Sequence, residues 1–427
     1  MKRKHITATA LTAVAVLEAI LITGTTTSCK KDMFKQDVYD SIMKQEFPID
    51  PVDAAHSWNL TTRRTATVNI TDTDIRRIMV LTDDPATNYQ AAIMAQKTTF
   101  NRGDNFLTFA APTVQTTFYA AVEQNDGSLL VKPFTTSDTR VTMADATQEQ
   151  KPVTAPGYQT FTYCFEENYP QPGDYDFNDC VLRISVTPGD QPNQRKINVS
   201  VAATGANKLI AAALRLVNYN YDDIESVTTT DGKRWDEDYP TTQYILTNNE
   251  TLQQGRNGEA AIRLFENASW IMVHNQPDNV GMLTNYKVNV TKTTTETTKQ
   301  INPPVKTYIV TFKESATALL DNFTLLNIDP FIVTNFNGGN WETHIYEHKH
   351  ANVLFEGVRQ ESGHMTWAIC VPDGNFRWPL EGMIIGTKKD GLLTGVYREF
   401  GHSFGEWAAN RNTSKDWFLY PTIADVY

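Results

Sequence analysis

Cysteine is scarce in this chain of 427 residues: there are four, and no two stand in a Cys-x-x-Cys pair. That removes the usual thiol redox and zinc-finger chemistries. Basic charge is also short, with 38 Lys and Arg against 49 Asp and Glu, a net charge of −11. Residues 1–28 contribute three basic residues and one acid, so the rest of the chain stands at −13. Such a balance excludes nucleic acid as a partner, since affinity there comes from neutralising phosphates. It also excludes docking on anionic lipid through a basic face. Runs of Ala, Leu, Glu and Lys with helical spacing are rare, and His-Glu-x-x-His and phosphate-cradling glycine loops are missing. Threonine and aromatic residues abound instead, which points to an all-β protein.

One long apolar run exists, and it lies at the front. Lys2, Arg3 and Lys4 precede a stretch from Ile6 to Ile22, interrupted by threonines and Glu18, which ends in Thr27-Ser28-Cys29. This is the layout of a secretory signal, removed from the mature chain. A single cysteine after a small residue at its end is what a lipoprotein signal presents, so Cys29 is expected to be lipidated and to become the first mature residue. The alternatives are an uncleaved anchor or a signal cut elsewhere. Cys164, Cys180 and Cys370 remain, an odd number for an exported chain. Cys164 and Cys180 flank an acidic loop at the base of a predicted hairpin. They could form a disulfide there; equally, all three could be small buried side chains.

The acidic loop is the most informative stretch. Gly173-Asp174-Tyr175-Asp176-Phe177-Asn178-Asp179 sits between predicted strands Gln159–Phe165 and Cys180–Thr187. Carboxylates this close repel one another unless a cation or a set of donors neutralises them. Hard oxygen ligands at alternate positions suit Ca²⁺. Asp174, Asp176, Asn178 and Asp179 are the expected ligands, with Glu166 or Glu167 arriving from the preceding strand. It is no EF-hand: counting from Asp174, position six is Asp179 where Gly is needed, and position twelve is Ser185 where Glu is needed. The alternative is a turn whose side chains cap backbone N–H groups. Asp174, Asp176 and Asp179 lie too close in sequence to flank a sugar as acid and base, so a glycan-active enzyme would need a second carboxylate from elsewhere. His344, His348 and His350 would share one face if their segment were a strand, with the outer pair too far apart for one ion.

Organisation follows from patterning. After the signal at 1–28 come a tether at 29–50, a β-sandwich-like module at 51–136, a polar linker at 137–156 and a larger β-sandwich or jelly-roll-like domain at 157–427. Strands are expected at Thr65–Ile70, Arg76–Leu81, Thr98–Phe100, Asn105–Ala110, Thr117–Gln124 and Leu129–Pro133 in the first module. Lys196–Ala203 and Leu209–Val217 continue the pattern in the second. Tyr286–Thr294 and Lys306–Phe312 would flank a threonine-rich tip as a long hairpin, and Gly405–Asn410 would form a short helix.

Several blocks carry a resemblance. Tyr163-Cys164-Phe165-Glu166-Glu167 followed by Gly173-Asp174-Tyr175-Asp176-Phe177-Asn178-Asp179 resembles the FED…GDYDFND signature of LruC-domain lipoproteins of Bacteroidota. Asp329-Pro330-Phe331-Ile332-Val333, Asn337-Gly338-Gly339 and Glu342-Thr343-His344 follow in the family's order. So do Trp367-Ala368-Ile369-Cys370-Val371-Pro372, Phe376-Arg377-Trp378-Pro379-Leu380-Glu381, Phe404-Gly405-Glu406-Trp407 and Asp416-Trp417-Phe418. His56-Ser57-Trp58-Asn59-Leu60 resembles the start of the module that often precedes it. The match covers most of 157–427. It departs after Glu342-Thr343-His344, where Ile345-Tyr346-Glu347-His348-Lys349-His350 replaces an acid-rich loop. The resemblance implies an envelope lipoprotein with a sandwich-like domain and no known enzymatic activity. The expectation is therefore a protein held to the outer membrane through Cys29, facing the periplasm or the outside. It would bind a glycan or protein ligand, with Ca²⁺ as a structural ion. A filament subunit or anchor is the alternative, and a glycan-active enzyme the third reading.

Overall fold

A computed structural model describes residues 51–148, 155–206, 208–237, 246, 250–274 and 303–427. The targeting segment, Cys29, the tether and the Tyr286–Thr294 half of the expected long hairpin lie outside them. Strands dominate the described residues.

The first module consists of β1 (Thr61–Ile70), β2 (Ile75–Leu81), β3 (Ala92–Lys97), β4 (Gly103–Pro112), β5 (Thr117–Gln124), β6 (Leu129–Thr135), β7 (Arg140–Thr142), β8 (Thr147–Gln148) and β9 (Gly157–Tyr158). They form a three-stranded sheet, β4-β1-β7, and a six-stranded sheet, β8-β6-β5-β2-β3-β9. Ala66, Val68 and Ile70 of β1 and Phe118, Ala120 and Val122 of β5 point into the core they share, the two-residue period of a strand. Two sequence expectations shift here. The third strand is Ala92–Lys97 instead of Thr98–Phe100, because Ile93 and Met94 are buried in different clusters and so give no alternation. The polar stretch read as a linker contributes β7 and β8, with Val141 and Met143 in the core.

The second domain holds β10 (Thr160–Phe165), β11 (Cys180–Pro188), β12 (Gln194–Ala203), β13 (Ala211–Asn220), β14 (Ile224–Thr229), β15 (Leu252–Gln254) and β16 (Glu259–Phe265). The helix α1 (Ala268–His274) follows, then β17 (Val305–Phe312), β18 (Ile328–Phe336), β19 (Gly339–Thr343), β20 (Glu356–Gly357) and β21 (Ala368–Val371). Two six-stranded sheets, β14-β17-β12-β11-β10-β21 and β15-β16-β13-β18-β19-β20, enclose the main core. The fold is all-β and sandwich-like, as the composition indicates. The strand β17 pairs with both β12 and β14, so the described half of the expected arm lies inside a sheet and does not project.

Register settles the cysteines. Phe165 pairs with Cys180 and Cys164 with Val181, so the two thiols point to opposite faces of the sheet. Cys180 lies in the core between the sheets and Cys164 in the layer behind. Both are free, and the disulfide left open by the sequence is not formed.

That layer behind is an aromatic cap. The hairpin β22 (Thr387–Lys389) and β23 (Leu392–Thr394), the helix α2 (Phe404–Ala409) and the tail bury Phe376, Trp378, Tyr397, Phe404, Trp407 and Trp417 against Val181, Ala202 and Ile369. Val52, Trp58 and Leu60 join the same cluster. His56 stacks on Trp58 at 4.2 Å, and its Nε2 lies 2.9 Å from the Trp407 carbonyl. Burial lowers its pKa to about 4, so the ring is neutral. The His56-Ser57-Trp58-Asn59-Leu60 motif thus packs into the cap of the second domain before the chain enters β1.

Candidate metal centre and cleft

The acidic loop joins β10 to β11, and its backbone is unusual. Tyr175 and Phe177 have φ of 55° and 53°, a left-handed conformation that is rare for bulky side chains and costs about 1–2 kcal/mol each. The coil sends both rings into the aromatic layer, and the acids come together on the other side. Glu166, Asp174 and Asp176 each offer an oxygen within 4.8 Å of the others. Oxygens bound to one Ca²⁺ at about 2.3–2.6 Å lie no more than about 5 Å apart, so the spacing fits.

Glu166 is fully buried. Its Oε1 accepts from the Phe177 N–H at 2.8 Å, while its buried Oε2 has no partner. Asp176 accepts from Gly382 N–H at 2.9 Å and from Asn178 N–H at 3.2 Å. Asp174 stands exposed at the mouth. Gly173 makes the arrangement possible: a Cβ there would lie 1.7 Å from Glu166 Oε2. The other two expected ligands serve differently. Asp179 accepts from Glu167 N–H at 2.7 Å. Asn178 points its Oδ1, buried and unpartnered, toward Gly205, where a Cβ would meet it at 1.9 Å and Glu381 Oε2 at 3.0 Å. Sequence reasoning missed Glu381 and Gly382, about 200 residues away in sequence; only the place of Glu381 in a Pro-Leu-Glu block hinted at them.

Burial first, then the Asp174 charge, raises the Asp176 pKa to about 8. Burial, then Glu167, raises Asp179 to about 8. Glu166 is pushed well up by burial and by the neighbouring aspartates. These groups must either hold protons or share a cation. An orphaned buried oxygen among converging carboxylates suits a hard divalent ion, and Glu166, Asp174 and Asp176 are the residues that would hold it.

The Asp329 and Glu342-Thr343-His344 blocks converge elsewhere. His344 Nδ1 lies 2.9 Å from Asp329 Oδ2, and its Nε2 lies 3.1 Å from Glu342 Oε2. Arg215 Nε donates to Asp329 at 2.9 Å and its Nη1 to Glu259 at 3.0 Å. Burial opposes charge on His344, but Asp329 and then Glu342 outweigh it and raise its pKa to about 9. His348 lies in a one-turn helix, Tyr346–His348, and His350 beyond it. The three histidines therefore do not form a strand face, and the metal cluster considered for them is not assembled.

Beside this network opens a cleft of about 1050 Å³, lined among others by Arg215, Arg256, Glu259, Trp341, His348 and Arg359. The buried Trp341 Nε1 has no hydrogen-bond partner. None of the loop's acids lines this cleft, so the loop is not set beside it as a paired-carboxylate site would require. Gly401-His402-Ser403-Phe404-Gly405 has the spacing of a nucleophile elbow. The structure gives it another role. Ser403 caps α2, its buried Oγ accepting from Glu406 N–H at 3.1 Å and donating to Glu406 Oε2 at 3.0 Å, while His402 turns to Asp416 at 2.7 Å.

No curated protein sequence matches the chain. The crystal structure of a candidate lipoprotein from Bacteroides ovatus superposes with a TM-score of 0.51 at 14% identity, over 83% of this chain and 99% of that one; the likeness is one of fold. Residues 193–418 match the family described as "Domain of unknown function (DUF4842)". That span is more than half of the chain, and the protein belongs to the DUF4842 family.

Proposed function

We propose that the protein is a lipid-anchored binding protein of the cell envelope, of the LruC type, whose second domain is stabilised by a Ca²⁺-like cation. The observation that carries the cation is the orphaned, fully buried Glu166 Oε2 beside the carboxylates of Asp174 and Asp176. The ion closes the β10–β11 loop over the aromatic cap, so its role is structural. The anchor rests on the signal ending at Cys29 and on the lipoprotein description carried by a protein of like fold. The binding role rests on the polar cleft between Arg215 and Arg359, whose volume and mixed charge suit a glycan or a peptide segment.

The test is thermal unfolding of the mature chain carrying Cys29→Ala, in Ca²⁺ and in chelator. At a Ca²⁺ concentration about 100 times the dissociation constant, linkage contributes about 2.7 kcal/mol. For a chain of this size that amounts to about 3–5 °C in Tm. Equal melting in both media, with no metal found by elemental analysis, would leave the loop as a capped turn.

A further inference from the structure

We infer that the aromatic cap carries a membrane-docking face, in which Phe400, Leu419, Tyr420 and Ile423 enter the headgroup–acyl boundary of the bilayer that holds the anchor. The inference rests on reading Cys29 as the lipid attachment site. Of the eight exposed large apolar side chains among the described residues, these four stand on two adjoining turns. Phe400 is 83% exposed, Ile423 65%, Leu419 53% and Tyr420 42%. The turns are joined: His402 stacks on Tyr420 at 4.0 Å and contacts Asp416 at 2.7 Å, and Thr422 N–H donates to the Val396 carbonyl at 3.0 Å. Beneath them Phe404, Trp407 and Trp417 are already buried together, so the cap has no interior left to take the outer four.

The course of the chain says what covers them. The described residues begin at Pro51, and this segment is fastened to the same cap. Asp53 N–H donates to the Ala408 carbonyl at 2.9 Å, and Arg411 Nη1 reaches both Asp53 carboxylate oxygens at 2.9 Å. Cys29 precedes Pro51 by 22 residues, a reach of at most about 75 Å. The described chain therefore starts on the same cap that carries the apolar side chains. A second copy of the chain is a poorer occupant. Large side chains bury about 150–250 Å² each, so at these exposures the four offer at most about 600 Å². A stable pair needs about 800 Å² from each partner. A shallow contact that orients an acylated protein needs less, and an aromatic residue with a polar tip suits that boundary. The attraction here is apolar, so salt does not weaken it and acts only by screening the repulsion between this acidic chain and anionic lipid.

The test compares the lipidated mature chain with its Phe400→Ser/Ile423→Ser variant in phosphatidylethanolamine vesicles containing phosphatidylglycerol. Flotation reports the anchor, and hydrogen exchange of the amides in 396–402 and 417–423 reports the face. Expected is flotation of both proteins, with vesicle-dependent protection of those amides in the parent alone. The unlipidated Cys29→Ala chain should partition weakly, and the double substitution should weaken that by about tenfold. Flotation without protection in the parent would overturn the docking face and leave the anchor standing. Absence of acylation would overturn the anchor; the Cys29→Ala chain then decides the face, which falls if its partition is zero or unaffected by the double substitution. Protection that grows with protein concentration without vesicles would assign the face to a second copy and overturn the proposal.

Discussion

Glu166 and Gly173 define the candidate metal centre as a pair. The glycine is where a side chain would collide with the carboxylate at 1.7 Å, so Gly173→Ala should cost about 1–3 kcal/mol and remove the response of Tm to Ca²⁺. The aspartates give a second check. A carboxylate whose folded pKa is raised binds more protons folded than unfolded, so stability falls as pH rises between the two values. With Asp176 and Asp179 at about 8 in the folded chain, Tm in chelator should decline from about pH 4 to pH 8. Ca²⁺ should reduce the decline, because it replaces the proton on Asp176, while the share of Asp179, which is not a ligand, remains. Asp176→Asn, which keeps an acceptor for Gly382 and Asn178, should make the chelator profile less steep, leaving the share of Asp179, and lower Tm only in Ca²⁺. A parallel loss in both media would mark Asp176 as a plain hydrogen-bonding residue.

Among the elements, β13, β16, β18 and β19 are tied by charge as well as by hydrogen-bonded ladders. Arg215 on β13, Glu259 on β16, Asp329 on β18 and Glu342 on β19 meet through one guanidinium and the His344 ring. Glu342 also accepts from the Val353 and Phe355 N–H groups at 2.7 and 2.9 Å, and from Leu354 between them, pinning the loop that walls the cleft. His344 is raised, from 6.5 to about 9. Its contribution is therefore whole below about pH 6.5 and lost as pH rises through 9, on the order of 3 kcal/mol. Melting curves between pH 6 and pH 10 should show that loss in the parent and not in His344→Gln. Identical slopes in both would mean that the ring is neutral throughout. The elements were unevenly legible. The strand Thr117–Gln124 comes out with the bounds read from the sequence. Ala92–Lys97, buried on both faces, and the short β7 gave no periodic signal to read.

For the whole molecule, the segment 52–60 is the fastening between the modules and the cap. Trp58 stacks with His56 and packs against Phe404 and Trp407. Trp58→Ala should cost about 3–5 kcal/mol and should lower the unfolding temperature of the second domain, although the residue precedes the first strand of the first module. Limited proteolysis that released the first module while the second domain kept its Tm would contradict this.

The sequence by itself determined the all-β class, most strands and which acids stand near Glu166 in the chain, because each is written in local composition or in a period of two. The tertiary structure decided which of those acids meet, since left-handed residues at Tyr175 and Phe177 turn the loop out of strand alternation. It also decided that Cys164 and Cys180 face opposite ways, that Glu381 and Gly382 come to the loop, and that Asp329, Glu342 and His344 close on Arg215. Such contacts join residues far apart along the chain, and their geometry follows from sheet register and layer packing, which no local pattern encodes.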